Sequence, residues 1–326
     1  MKAFLLRTVT ASSVLAGSWL IRFVAWWVAT GYFLFRPSRR ESSVRLYRAI
    51  FPDRSRVYRL YAVWRQFHSF SSAYGDRILL YGRGGLNIST RGRDGLLEAA
   101  GKGKGAIIVI SHMGNYEIAV QAFQKLGVKL LLMMGEREAK QVAREQRERL
   151  LAGGIRIQVS APGEDSQFGG LEAIQFLRQG GMVSIAGDLV WTDRRSLVPV
   201  RFFDREVGFP VGPHVLALVS GAPLFTLFPL RVGKGRHEII VSPPREVKAP
   251  SRSERDRVLQ ASVQAYAQAL EEMVRRHPFQ WYIFEPFFPP AAGGAAPSAP
   301  GGATDPTRKQ DGTDKPNPGG RPCRRL

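Results

Sequence analysis

His112 and Glu117 are the side chains in this sequence best spaced to move a proton. The run Ile107-Ile108-Val109-Ile110 is apolar and stops at Ser111-His112; a short polar loop, Met113-Gly114-Asn115-Tyr116, then leads to Glu117. This pattern predicts a strand that ends at the histidine and a helix that opens at the carboxylate. A hydroxyl is a poor nucleophile until a base takes its proton, and neutral imidazole is the usual base near pH 7. A carboxylate on the other ring nitrogen fixes the tautomer and stabilises the imidazolium that forms. Spacing alone is a weak signal, because many histidines have an acidic residue five positions away, and a structural histidine at a strand end has the same pattern. The strand end, the Gly114-Asn115 turn and the helix start add weight to it.

The elements around this corner alternate. Apolar runs at 106–111, 128–134, 155–160 and 182–186 read as buried strands, and helical spacing appears at 118–126, 135–151 and 171–177. Strand alternating with helix predicts an α/β fold, a mostly parallel central sheet flanked by helices. Chemistry in such sheets collects at the carboxyl ends of strands, where His112 and Asp188 both fall. Short strands are expected at 78–81 and 86–89 and a short helix at 95–100. Downstream come a hairpin (197–203 and 207–209), a helix at 213–220, a strand pair (224–232 and 237–241) and a long amphipathic helix at 254–276. The glycine-rich lead-in at 101–105 is not a phosphate-binding loop, because it precedes its strand.

Composition narrows the partners. With 47 Lys and Arg against 27 Asp and Glu, the formal net charge is +20. Such an excess implies a polyanionic partner: nucleic acid, an anionic membrane surface, or an anionic carrier or substrate. The single cysteine, Cys323, excludes an intrachain disulfide and a Cys-rich zinc site, and the five scattered histidines show no ligand spacing, so no metal is expected. Residues 13–35 are the most hydrophobic stretch and are rich in Trp, Phe and Tyr, with Arg22 inside it. An arginine at mid-depth is costly in a bilayer, so a helix lying in the interface, or a tilted anchor with Arg22 snorkelling, fits best. Residues 36–76 interleave nine arginines with aromatics at near-helical spacing, as expected of basic amphipathic helices on anionic headgroups. No nucleic-acid motif accompanies them. The expected organisation is an N-terminal anchoring helix (1–35), an α/β domain (36–288) and a disordered Pro/Gly-rich tail (289–326).

The motifs also resemble a family. Ser111 to Glu117 is similar to the His-x-x-x-x-[Asp/Glu] signature of the lysophospholipid acyltransferase superfamily, in the form used by its bacterial lipid A late-acyltransferase branch. Ala186-Gly187-Asp188, Phe202-Phe203, Phe209-Pro210-Val211-Gly212-Pro213, Gly221-Ala222-Pro223 and Pro278-Phe279-Gln280-Trp281-Tyr282-Ile283-Phe284 resemble further elements of that branch, in order. Leu189 stands where many lipid A enzymes have Gln, and Asp204 where they have Gly. The 36–76 region is similar to a subgroup linked to glycosyltransferases and lipid-tail pathways. The resemblance implies a glycerol-3-phosphate acyltransferase-like fold with N-terminal membrane-associated helices. It implies an O-acyltransferase that needs no cofactor: an acyl-carrier-protein or acyl-CoA thioester is the co-substrate and a lipid or glycolipid hydroxyl the acceptor. His112 would be the base and Glu117 its orienter, Arg137 an oxyanion donor, Asp188 a partner of an arginine or the acceptor, and Asn115, Phe209 and Gly212 substrate contacts. The implied place is the cytoplasmic face of a bacterial inner membrane. Two other classes stay open: an acyl-ester hydrolase using the same pair, and a non-catalytic basic membrane-binding protein.

Overall fold

A computed structural model describes residues 18–80, 86–135, 139–140, 144–160, 166–189 and 197–288. The tail expected to be disordered, 289–326, lies outside the described residues. Among the described residues three helices come first: α1 (Ser18–Phe35), α2 (Pro37–Ile50) and α3 (Arg56–Leu80). The first prolyl residue of α2 costs nothing there, since its missing N–H would have had no intrahelical partner. Among the described residues no helix is long and apolar enough to cross a membrane. The strand expected at 78–81 is instead the end of α3 through Leu80; a four-residue apolar run cannot by itself distinguish the two.

The sheet follows. Its strands are β1 (Asn87–Arg91), β2 (Ala106–Ile110), β3 (Leu130–Gly135), β4 (Ile155–Ser160), β5 (Met182–Ala186), β8 (Leu224–Gly233) and β9 (Arg236–Val241), in the order β1-β9-β8-β2-β5-β3-β4. Every neighbouring pair is parallel except the β8–β9 hairpin. β6 (Leu197–Phe202) and β7 (Arg205–Pro210) form a separate antiparallel pair. The further helices among the described residues are α4 (Arg93–Gly101), α5 (Tyr116–Lys125), α6 (Arg144–Ala152), α7 (Ser166–Arg178) and α8 (Gly212–Ser220), which lie between strands, and α9 (Arg255–Arg276), which follows the last strand.

The central strand β2 is buried on both faces, as its unbroken apolar run requires. Period-two alternation divides its side chains. Ile107 and Val109 join the core under α7, α8 and α9; Ala106 and Ile108 join the core under α4 and α5. The first core continues through Phe202, Phe209, Tyr266 and Trp281 to α2 and α3, so the basic N-terminal helices and the C-terminal segment pack on one hydrophobic body.

Candidate active site

The β2–β5 register builds the site. Ile110 pairs with Ala186, so the residues two beyond each strand end, His112 and Asp188, stand level on adjacent strands. Gly187 allows the approach: its N–H donates to the Ile110 carbonyl at 2.9 Å, and an added Cβ would meet Val109 and lie 2.8 Å from the Tyr266 ring. Asp188 then reaches His112 twice. Its Oδ1 lies 2.8 Å from Nδ1 of the ring, and its Oδ2 accepts the backbone N–H of His112 at 2.7 Å. The carboxylate side chain is fully buried and the imidazole is 27% exposed, so the acid lies behind the ring and the ring faces outward.

The resemblance gives Glu117 the orienting role and leaves Asp188 to hold an arginine or the acceptor; the 2.8 Å contact described above joins Nδ1 to Asp188. Position along a chain cannot reveal which two strands lie side by side, and β2 and β5 are separated by two other strands in sequence. Glu117 is buried in the first turn of α5, where its backbone N–H donates to Asn115 Oδ1 at 3.3 Å. A carboxylate in a first turn is favoured by the helix dipole.

Asn115, expected to touch substrate, is fastened within the protein: its Oδ1 caps α5, its Nδ2 donates to the Ala73 carbonyl at 3.1 Å, and its backbone N–H donates to the Pro229 carbonyl at 2.9 Å. Both ends of a buried side chain are used within the protein. Phe209 is likewise in the core, edge-on to Phe202, Tyr266 and Phe287, and supports the site from behind. Gly212 is the exposed first residue of α8, with open space around it. Arg137 lies outside the described residues. No three His, Cys, Asp or Glu side chains among the described residues converge as metal ligands.

Several supporting residues were not singled out from the sequence. Tyr266 on α9 donates from its hydroxyl to the Ile110 carbonyl at 3.0 Å. Burial, and then the charge of Asp188, hold that phenol well above its ordinary pKa, so it stays a donor. Trp281 donates from Nε1 to Asp188 Oδ2 at 2.9 Å. The segment around it pairs with the loop after β2: Gly114 N–H donates to the Gln280 carbonyl and Tyr282 N–H to the His112 carbonyl, both at 2.8 Å, with an antiparallel bridge between Met113 and Trp281. The signal was present in the Pro278–Phe284 motif, but nothing in it says what it touches.

A histidine whose Nδ1 is engaged by a buried carboxylate presents Nε2 as its working nitrogen, the arrangement that takes a proton from a hydroxyl. No curated protein matches the chain. A family model does, described as bacterial lipid A biosynthesis acyltransferase, and it covers residues 5–288. With that match over most of its length, the chain belongs to the bacterial lipid A biosynthesis acyltransferase family.

Proposed function

We propose that the protein is a membrane-associated O-acyltransferase in which His112 is the general base and Asp188 its orienting carboxylate. The family implies an acyl donor and a lipid acceptor. The observation that carries the mechanism is the 2.8 Å contact of His112 Nδ1 with the buried Asp188, behind a ring that faces outward. His112 Nε2 takes the acceptor hydroxyl proton, and the oxygen attacks the thioester carbonyl of an acyl-carrier-protein or acyl-CoA donor. The tetrahedral intermediate collapses, the C–S bond breaks, and the imidazolium returns its proton to the leaving thiolate. No covalent acyl-enzyme forms. Arg137, two residues beyond β3, is the proposed cation for the oxyanion. Glu117 supports the imidazole environment from the start of α5.

Membrane association is proposed from the surface of the first helices. Trp19, Phe23, Trp27, Tyr32, Leu34 and Phe35 on α1 are exposed, as are Tyr61, Phe70 and Tyr74 on α3. Large exposed aromatics beside arginines suit a headgroup layer, at the cytoplasmic face of a bacterial inner membrane.

The test is transfer of a labelled acyl chain, from carrier protein and from coenzyme A, to an extract of membrane lipid. His112→Ala and Asp188→Asn are each expected to lower kcat by about a thousandfold or more, as loss of a base or its tautomer lock does. Transfer that survives in both defeats the mechanism. Free fatty acid as the main product, with no acylated lipid, makes the protein a hydrolase.

A further inference from the structure

The segment 278–288 leaves α9 and lies along the catalytic loop, and Trp281 is its innermost residue. Its indole N–H ends on Asp188 Oδ2, the oxygen that also accepts the His112 backbone N–H. The other oxygen faces the imidazole. A buried carboxylate is free to turn about its Cβ–Cγ bond unless both oxygens are committed. Two donors on Oδ2 commit it and leave Oδ1 for the ring.

The donor is itself fixed. The indole is wedged edge-on between Phe202, at 5.5 Å, and Phe287, at 4.9 Å. Gln66 on α3 donates to the Trp281 carbonyl at 2.7 Å, and Tyr47 on α2 donates to the Pro278 carbonyl at 2.8 Å. Gln280 bonds both the N–H and the carbonyl of Arg231, each at 2.9 Å, and so ties the segment to β8. Backbone and rings therefore aim one N–H at one oxygen.

We infer that Trp281 is a positioning residue for the reaction: its indole N–H locks the Asp188 carboxylate, and through it His112, in the orientation that proton transfer needs. The inference rests on the His112–Asp188 reading above. A tryptophan present only to fill the core would need its rings and not its N–H, and this difference can be tested. Benzothienylalanine at position 281 keeps the shape and volume of the indole and replaces N–H by sulfur. It is expected to lower kcat about tenfold, the scale for losing a neutral donor to a charged acceptor, with KM for both substrates within about twofold and the melting temperature nearly unchanged. In an Asp188→Ala background the same replacement is expected to leave the residual rate unchanged, because the loss travels through that carboxylate. The indole cross-peak of Trp281 in a 15N spectrum, assigned by its disappearance in Trp281→Phe, is expected to move upfield in Asp188→Ala. A wild-type kcat in the benzothienyl enzyme, losses that multiply in the double variant, or an indole resonance indifferent to Asp188 overturns the inference. Near-normal transfer by Asp188→Ala defeats the underlying dyad reading; a crippled Asp188→Ala beside an unimpaired benzothienyl enzyme defeats the Trp281 assignment alone.

Discussion

Gly114 shows how narrowly single residues hold the loop after His112. Its φ is +69°, in the left-handed region, and an added Cβ would overlap the Pro229 carbonyl oxygen. That oxygen is the acceptor for the Asn115 N–H, so a methyl group there would displace the bond that starts α5. Gly114→Ala is expected to cut kcat at least tenfold and to lower stability by more than the ~1 kcal/mol of the left-handed conformation alone, read together from initial rates and a denaturant titration. Asn115 gives the contrasting case. As a cap and fastener its loss is expected to cost about 1–2 kcal/mol of stability, with KM unmoved. A substrate contact would do the reverse, so urea melts and saturation curves of Asn115→Ala separate the two roles.

Among the elements, the C-terminal segment and α3 act together. Gln66 is fully buried and donates to the carbonyls of both Trp281 and Ile283. Gln66→Leu keeps the bulk and strands two acceptors, each worth about 1–3 kcal/mol of desolvation, so the melting temperature and kcat are expected to fall together. A variant that melts early yet turns over normally would separate α3 from the site. Ordered motifs and hydrophobic periodicity made most strands and helices readable, because β2, β5, β8 and α9 carry strong local patterns. What they could not convey was non-local. The strand order puts Asp188 beside His112, and no spacing encodes that. Asn115 and Phe209, expected as substrate contacts, are both buried, and a motif records which residues a fold needs without saying whether solvent reaches them. The run at 78–81, helical through Leu80, was misread for the opposite reason: its local pattern fits strand and helix equally.

Charge and protonation act on the molecule as a whole. The net charge of +20 and the exposed aromatics of α1 and α3 predict binding to vesicles rich in anionic lipid, several-fold weaker at 0.5 M than at 0.1 M salt, where screening shortens the reach of each arginine. Co-sedimentation reads this directly, and equal binding to neutral vesicles would count against the basic face. His214 sets a stability limit on the acid side. It is buried, with Nδ1 2.8 Å from Ser262 Oγ, and burial, then the charge of Arg245, lowers its pKa from 6.5 to about 4. The folded state therefore binds that proton more weakly than the unfolded chain. Its contribution is intact above pH 6.5 and fades as pH falls toward 4, by on the order of 3 kcal/mol. The melting temperature is expected to drop through that window, and less steeply in His214→Asn.

The placement of Trp281 also bears on how the enzyme is made. Synthesis supplies the sheet, His112 and Asp188 well before residue 281 leaves the ribosome, so the carboxylate waits for its indole partner until the chain is nearly complete. A product that ends after α9 lacks the indole on Asp188, the backbone pairing with the loop after His112, and the Trp281 and Ile283 side chains of the core. The packing around the site is thus completed late in the growing chain, and translation that stops short of residue 281 leaves Asp188 without its indole partner.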